Sequence, residues 1–141
     1  MKSWQLKRIS IELGENNDLI INNDEDTIEF QYGKYKVKIS DLNHYPFFPP
    51  KMNINGLNLS YSPALFPRRL YDEHTAKYKN KCPCCVSVYC ADNWSPSLGI
   101  KDIMNEYIGF VEKLKTYQKI KIFRDTNLPD DMINEIISFL L

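Results

Sequence analysis

The stretch "TIEFQYGKYKVKIS", Thr27 to Ser40, alternates apolar and polar residues on both sides of Gly33. Alternation suits a strand, because successive side chains leave opposite faces of a sheet. The glycine between the two runs supplies the positive φ that a tight turn demands. The pattern predicts an antiparallel hairpin, and the neighbouring segments extend it. "DLIIN" and the acidic turn "NDED" precede it, and "KMNIN" after Pro50 reads as a further strand. Between them "HYPFFPP" is expected to be rigid and extended, since each proline holds its predecessor out of the helical region.

Helical periodicity brackets this sheet. Over "SWQLKRISIEL", Leu6, Ile9 and Leu13 share one face, with Ser3 as an N-cap and Gly14 as a stop. Ile9, Ile11 and Leu13 also alternate as a strand would, so both readings stand for this segment. "GIKDIMNEYIGFVEKLK" is clearer. Ile100, Ile103, Met104, Tyr107, Ile108, Val111 and Leu114 make one broad apolar face, with lysines where the helix dipole favours them. "NLPDDMINEIISFLL" predicts a C-terminal helix over about 129–140, with Pro129 and Asp130 at its start. Helix, antiparallel strands, long loop and two helices define an α+β domain.

At 141 residues the chain suits a single domain, 1–141, able to bury a core. Lys plus Arg equals Asp plus Glu at 18 each, so no global attraction to nucleic acid or membrane is expected. No segment has the uninterrupted apolar length of a membrane span, and "MKSWQLKRIS" has no signal-peptide core. The expected compartment is cytoplasmic, or also nuclear, where disulfides are disfavoured. A loop over about 62–81 is locally basic through Arg68, Arg69, Lys77, Lys79 and Lys81, against Asp72 and Glu73. It is a solvated insertion, or a surface for substrate or nucleic acid.

All four cysteines fall within nine positions: Cys82, Cys84, Cys85 and Cys90. With His74 as a further ligand they could hold zinc, but structural zinc sites pair ligands across two separated knuckles and only one cluster exists here. Metal binding is the minority reading. A cysteine packed as a small hydrophobe is the alternative preferred for Cys90.

Taken with their neighbours, these residues resemble a known family. "YPFFPPK" (Tyr45 to Lys51), then "CVSVYCADNWSP" with Cys85 nine positions before Trp94, then a helix opening "IKDIMNEY", are similar to the motifs of E2 ubiquitin-conjugating enzymes. The resemblance spans roughly residues 30–115. It implies a UBC-like fold: N-terminal helix, antiparallel meander, active-site loop, central helix and a short C-terminal helix. It also implies a thioester with ubiquitin or a ubiquitin-like protein on Cys85, with Cys84 in reserve, and transfer to a lysine or a ligase cysteine. A thiolate is the nucleophile and a thioester is already activated toward amines, so no cofactor is expected.

The expected partners are an activating enzyme and a ligase as well as ubiquitin. Phe47, Pro96 and Ser97 match positions where the family docks RING-type ligase domains, and Lys7 and Arg8 match basic residues facing the activating enzyme. Asp131 would match an acidic residue that helps orient or deprotonate the incoming lysine. The family's His-Pro-Asn motif is replaced by Ser62, Pro63 and Ala64, with about twenty extra residues before Cys85. Its asparagine supports the active-site loop or the oxyanion, and Asn80 or Asn93 could take its place. Two alternatives follow: a catalytically inactive E2 variant that binds ubiquitin or a ligase, and a small zinc-binding interaction domain.

Overall fold

The computed structural model describes residues 2–14, 18–59 and 83–140, with positions 72, 76, 77 and 79 between them. The loop expected over 62–81 therefore lies almost wholly outside the described residues. In chain order the elements are helix α1 (Ser3–Leu13), strands β1 (Ile20–Asn22), β2 (Thr27–Tyr32) and β3 (Tyr35–Ser40), a 3-10 turn (Leu42–His44), and strands β4 (Lys51–Ile54) and β5 (Leu57–Asn58). Helices α2 (Pro83–Val86), α3 (Ile100–Asp125) and α4 (Asp130–Leu140) follow. This is an α+β architecture. The chain divides into two compact units, Met1–Met104 and Asn105–Leu141.

In the first unit the strands form an antiparallel meander in the order β1-β2-β3-β4-β5. Its register lines up the alternation seen in sequence. Ile28 faces Ile39, which faces Met52, and Phe30 faces Val37, which faces Ile54. All six are buried. Each such side chain contributes roughly 1.5–3 kcal/mol relative to exposure. The opposite face is polar, and Lys36 and Lys38 pair there with Glu29 at 3.0 and 3.8 Å. A one-residue slip would exchange these faces, so burial sets the register.

Both tight turns have residues suited to positive φ. Gly33, at φ 58, joins β2 to β3. Asn55 and Gly56, at φ 51 and 86, join β4 to β5. This second hairpin adds a strand beyond those expected from alternation, and Asn-Gly is itself a strong hairpin signal. Asn55 also binds β3 laterally: its N–H donates to the Lys36 carbonyl, and its side-chain oxygen accepts the Lys36 N–H, both at 2.8 Å.

Helix α1 forms rather than a strand, which leaves Ile11 at 69% exposure. Its buried stripe is Gln5, Ile9 and Leu13, with Leu6 only half-buried. The cap also differs from expectation: Lys2 precedes the first turn and Ser3 lies inside it. Gln5 explains both departures. Its side-chain oxygen accepts the Lys2 N–H at 2.9 Å, while its Nε2 donates to the carbonyls of Leu42 and Tyr45. A fully bonded amide can occupy a core position that an isolated one could not.

The segment after β3 is a compact turn, not the extended run expected. Phe47 and Phe48 both return their N–H groups to the His44 carbonyl, at 2.8 and 3.1 Å. Proline restricts the residue before it, and those after it remain able to turn.

The second unit consists of most of α3 together with α4. Helix α3 extends ten residues beyond the stretch whose periodicity marks it in sequence, because nothing before Thr126 breaks it. There the Thr126 N–H and hydroxyl both donate to the Ile122 carbonyl, at 2.9 and 2.6 Å. Of the expected apolar face, Ile100, Ile103, Met104 and Val111 are buried, and Tyr107, Ile108 and Leu114 are half-buried. Helix α4 starts one residue after Pro129, whose carbonyl accepts the Ile133 N–H at 3.1 Å.

The start of α3 is closed by two carboxylates. Asp102 accepts the Gly99 N–H at 2.8 Å and Glu12 accepts the Ile100 N–H at 3.0 Å. A β-carbon on Gly99 would lie 2.8 Å from the Glu12 carboxylate, whereas one on Gly109 would meet nothing within 4 Å. Gly99→Ala is expected to lower unfolding free energy by about 1–3 kcal/mol through this clash. Gly109→Ala should raise it by up to about 1 kcal/mol by improving helix propensity. Denaturant titration of the two variants checks both signs.

Candidate functional site

Cys84 and Cys85 lie on α2, both exposed, with their sulfurs 3.9 Å apart. Beyond α2 the chain stops being helical and becomes a chain of turns held by its own polar groups. Ser87 is buried. Its hydroxyl accepts the Tyr89 N–H at 2.9 Å, and its carbonyl accepts the Cys90 N–H at 3.1 Å. The Cys90 carbonyl accepts the N–H groups of Asn93 and Trp94, both at 3.0 Å. Tyr89 reaches outward, its hydroxyl accepting the Met52 N–H at 3.3 Å, which ties this loop to β4. Burial pushes the Tyr89 phenol above its ordinary pKa, so it stays neutral.

Asn93 is the polar brace of the loop. Its side-chain amide donates to the Cys85 carbonyl at 2.7 Å and to the Ser87 carbonyl at 3.0 Å. Asn93 is one of the two asparagines expected to support this region, and its amide is bonded to the backbone of Cys85 itself. Asn80, the other, lies outside the described residues.

The next residue, Trp94, is buried and donates its indole N–H to the Pro46 carbonyl at 2.7 Å. Its ring centroid lies 6.3 Å from that of Tyr45. The cysteine loop is thereby fastened to the Tyr-Pro segment. Phe47 and Phe48, which follow Pro46, are 67% and 56% exposed. Neither is core, because Tyr45 takes the buried aromatic position at 1% exposure. Pro96 and Ser97, which follow Trp94, are exposed as well. The 46–94 hydrogen bond thus brings the two expected docking segments to one corner.

Arg8 has a supporting role. Its guanidinium donates to the carbonyls of Pro96 and Leu98 and to Glu12, and it lies 5.5 Å from the Tyr45 ring centroid. Lys7, beside it, is exposed on α1. Asp131 is exposed in the first turn of α4, within the second unit. Cys90 is half-buried rather than fully packed. Of the minority zinc set, Cys82 and His74 lie outside the described residues. Among the described residues no three His, Cys, Asp or Glu side chains gather as a metal ion would require, and no helix is long and apolar enough to cross a membrane.

No family model, no curated protein and no solved structure matches this chain.

Two expectations follow. Replacing Asn93 by Ala removes both braces, and each hydrogen bond is worth about 0.5–1.5 kcal/mol net. The Cys90, Asn93 and Trp94 amides should then exchange with solvent about fivefold faster or more, read by hydrogen exchange, while β2 and β3 amides keep their protection. The second concerns Tyr45. Burial, then its hydrogen bond to Glu12, raises the phenol well above the ordinary value of 10.0. The folded chain therefore holds this proton more tightly than the unfolded chain. The contribution is intact below pH 10 and is lost as pH rises above it, by at most about 1.4 kcal/mol per pH unit. Denaturation midpoints of wild type and Tyr45→Phe between pH 8 and about 11 should show the steeper fall in wild type.

Proposed function

We propose that this chain is an E2-type conjugating enzyme with a UBC-like fold, carrying ubiquitin or a ubiquitin-like protein as a thioester on Cys85. The observation that carries the reading is an exposed cysteine whose own carbonyl is braced by Asn93, on a loop that Trp94 fastens to the Tyr-Pro segment. Exposure lets so large a cargo reach the sulfur. Rigidity behind it keeps the reacting carbonyl in one place while a nucleophile approaches.

In the chemistry proposed, the Cys85 thiolate takes the acyl group from the activating enzyme's thioester, whose sulfur leaves. A lysine amine or a ligase cysteine then attacks the carbonyl carbon, and the Cys85 sulfur leaves in turn. ATP is spent before the cargo arrives, so this chain requires no nucleotide. Asn93 takes over the loop support that the family draws from its His-Pro-Asn asparagine, which is missing here. Removing the donor that stabilises a developing oxyanion costs two to three orders of magnitude in related chemistry. Asn93 meets the other demand on that asparagine, a fixed backbone at the cysteine. Phe47, Pro96 and Ser97 offer an exposed aromatic and a stiff loop for a ligase. Lys7 remains on α1 for the activating enzyme, while Arg8 holds the corner together.

The test is a thioester assay with activating enzyme, ATP and ubiquitin, run with and without reductant. Wild type and Cys84→Ser are expected to give a reductant-sensitive adduct, and Cys85→Ser none or a reductant-resistant ester. If no adduct forms with any of a panel of ubiquitin-like proteins and their activating enzymes, the enzyme reading fails. Ubiquitin binding by that protein would then assign the inactive-variant role, and stoichiometric zinc in the purified protein the metal-binding one.

A further inference from the structure

Cys84 and Cys85 are neighbours in sequence, both exposed, with sulfurs 3.9 Å apart. Two thiols so placed can react with each other before either meets a second molecule. We propose that the pair is a reversible oxidation site, closed to a disulfide by peroxide and reopened by a dithiol reductant.

The step balances with hydrogen peroxide as the oxidant. One thiolate attacks the peroxide, forming an S–O bond as the O–O bond breaks and water departs after protonation; the product is a sulfenic acid. The neighbouring thiolate then attacks that sulfur, forming the S–S bond as the S–O bond breaks and a second water leaves. Two electrons pass from the two sulfurs to the peroxide. Reopening runs by thiolate attack on the S–S bond through a mixed disulfide.

Geometry makes the product labile. Adjacent α-carbons are about 3.8 Å apart, below the roughly 4.4–6.8 Å that a relaxed disulfide spans. A bond closed there is strained and easily reduced, as regulatory disulfides are and structural staples are not. Consecutive side chains of a helix also diverge, so closure must unwind α2. That helix is only four residues long, and the buried, multiply bonded part of the loop begins after it, at Ser87. On the C-terminal side the movement therefore meets a fixed boundary at Ser87, and the Asn93 contact with the Cys85 carbonyl is the bond it strains first.

A consequence rests on the conjugation reading: with its sulfur in the disulfide, Cys85 accepts no acyl group, and oxidation switches transfer off.

The test uses the full chain as Cys82→Ser/Cys90→Ser, which retains only the pair, beside wild type. Stoichiometric hydrogen peroxide is expected to remove both alkylatable thiols and about 2 Da of mass, with dithiothreitol restoring both. Cys84→Ser in the same background should lose no such mass within the chain. In wild type, alkylation followed by fragmentation of the tryptic peptide Cys82 to Lys101 should protect 84 and 85 together. Two thiols that persist, a gain of about 32 Da to the sulfinic acid in place of the 2 Da loss, or pairing through Cys82 or Cys90 in wild type would each overturn the proposal. Thioester formation is read separately. An adduct that appears only after reduction supports the switch. A disulfide that closes in a chain giving no adduct even when reduced keeps the oxidation site and removes the conjugation reading.

Discussion

The Glu12 carboxylate joins three stretches that lie far apart in sequence. It accepts the Tyr45 hydroxyl, the Arg8 guanidinium and the Ile100 N–H, and so links α1, the turn after β3 and the start of α3. With its side chain only 15% exposed, it depends on these partners for the solvation it has lost. Arg8 extends the same network to the Pro96 and Leu98 carbonyls. Gly99 gives the carboxylate its room, since a β-carbon there would lie 2.8 Å from it and Glu12 would have to shift. The corner that carries Trp94 therefore takes its position from a charge on the first helix.

From this network the cysteine loop inherits its rigidity in stages. Tyr45, held by Glu12, is the residue before Pro46, and the Pro46 carbonyl receives the Trp94 indole. Trp94 follows Asn93, whose amide reaches back to Cys85 and Ser87. After the Tyr45–Glu12 contact, each stage is a hydrogen bond from a side chain to a backbone carbonyl, so each fixes chain path as well as side-chain direction. Cys84 and Cys85 sit at the exposed end of this relay. That placement suits a nucleophile that must meet large partners, and it also leaves the two adjacent thiols room to meet each other.

Several features are legible in the amino-acid sequence alone. Alternation around Gly33 puts Ile28, Phe30, Val37 and Ile39 on one face, so the hairpin and its buried face follow from local pattern. The apolar stripe from Ile100 to Val111 and the proline-led start of the last helix are equally local. Asn93 is a candidate because an amide is wanted near Cys85, but its reach depends on turns that have no periodic signal. The Asn55-Gly56 hairpin carries a local signal in its dipeptide, but β5 is only two residues long, too short to show alternation.

Local chemistry along the chain therefore determines the central hairpin, the two C-terminal helices and their apolar faces, because hydrogen bonding within a helix or hairpin and side-chain periodicity act over a few residues. The choice of Gln5 over Leu6 for the core, of Arg8 as a brace, and of Tyr45 over either phenylalanine as the buried ring comes only with tertiary structure. Each depends on partners 33 to 90 residues away in sequence, which supply the donors and acceptors that make a buried polar group tolerable.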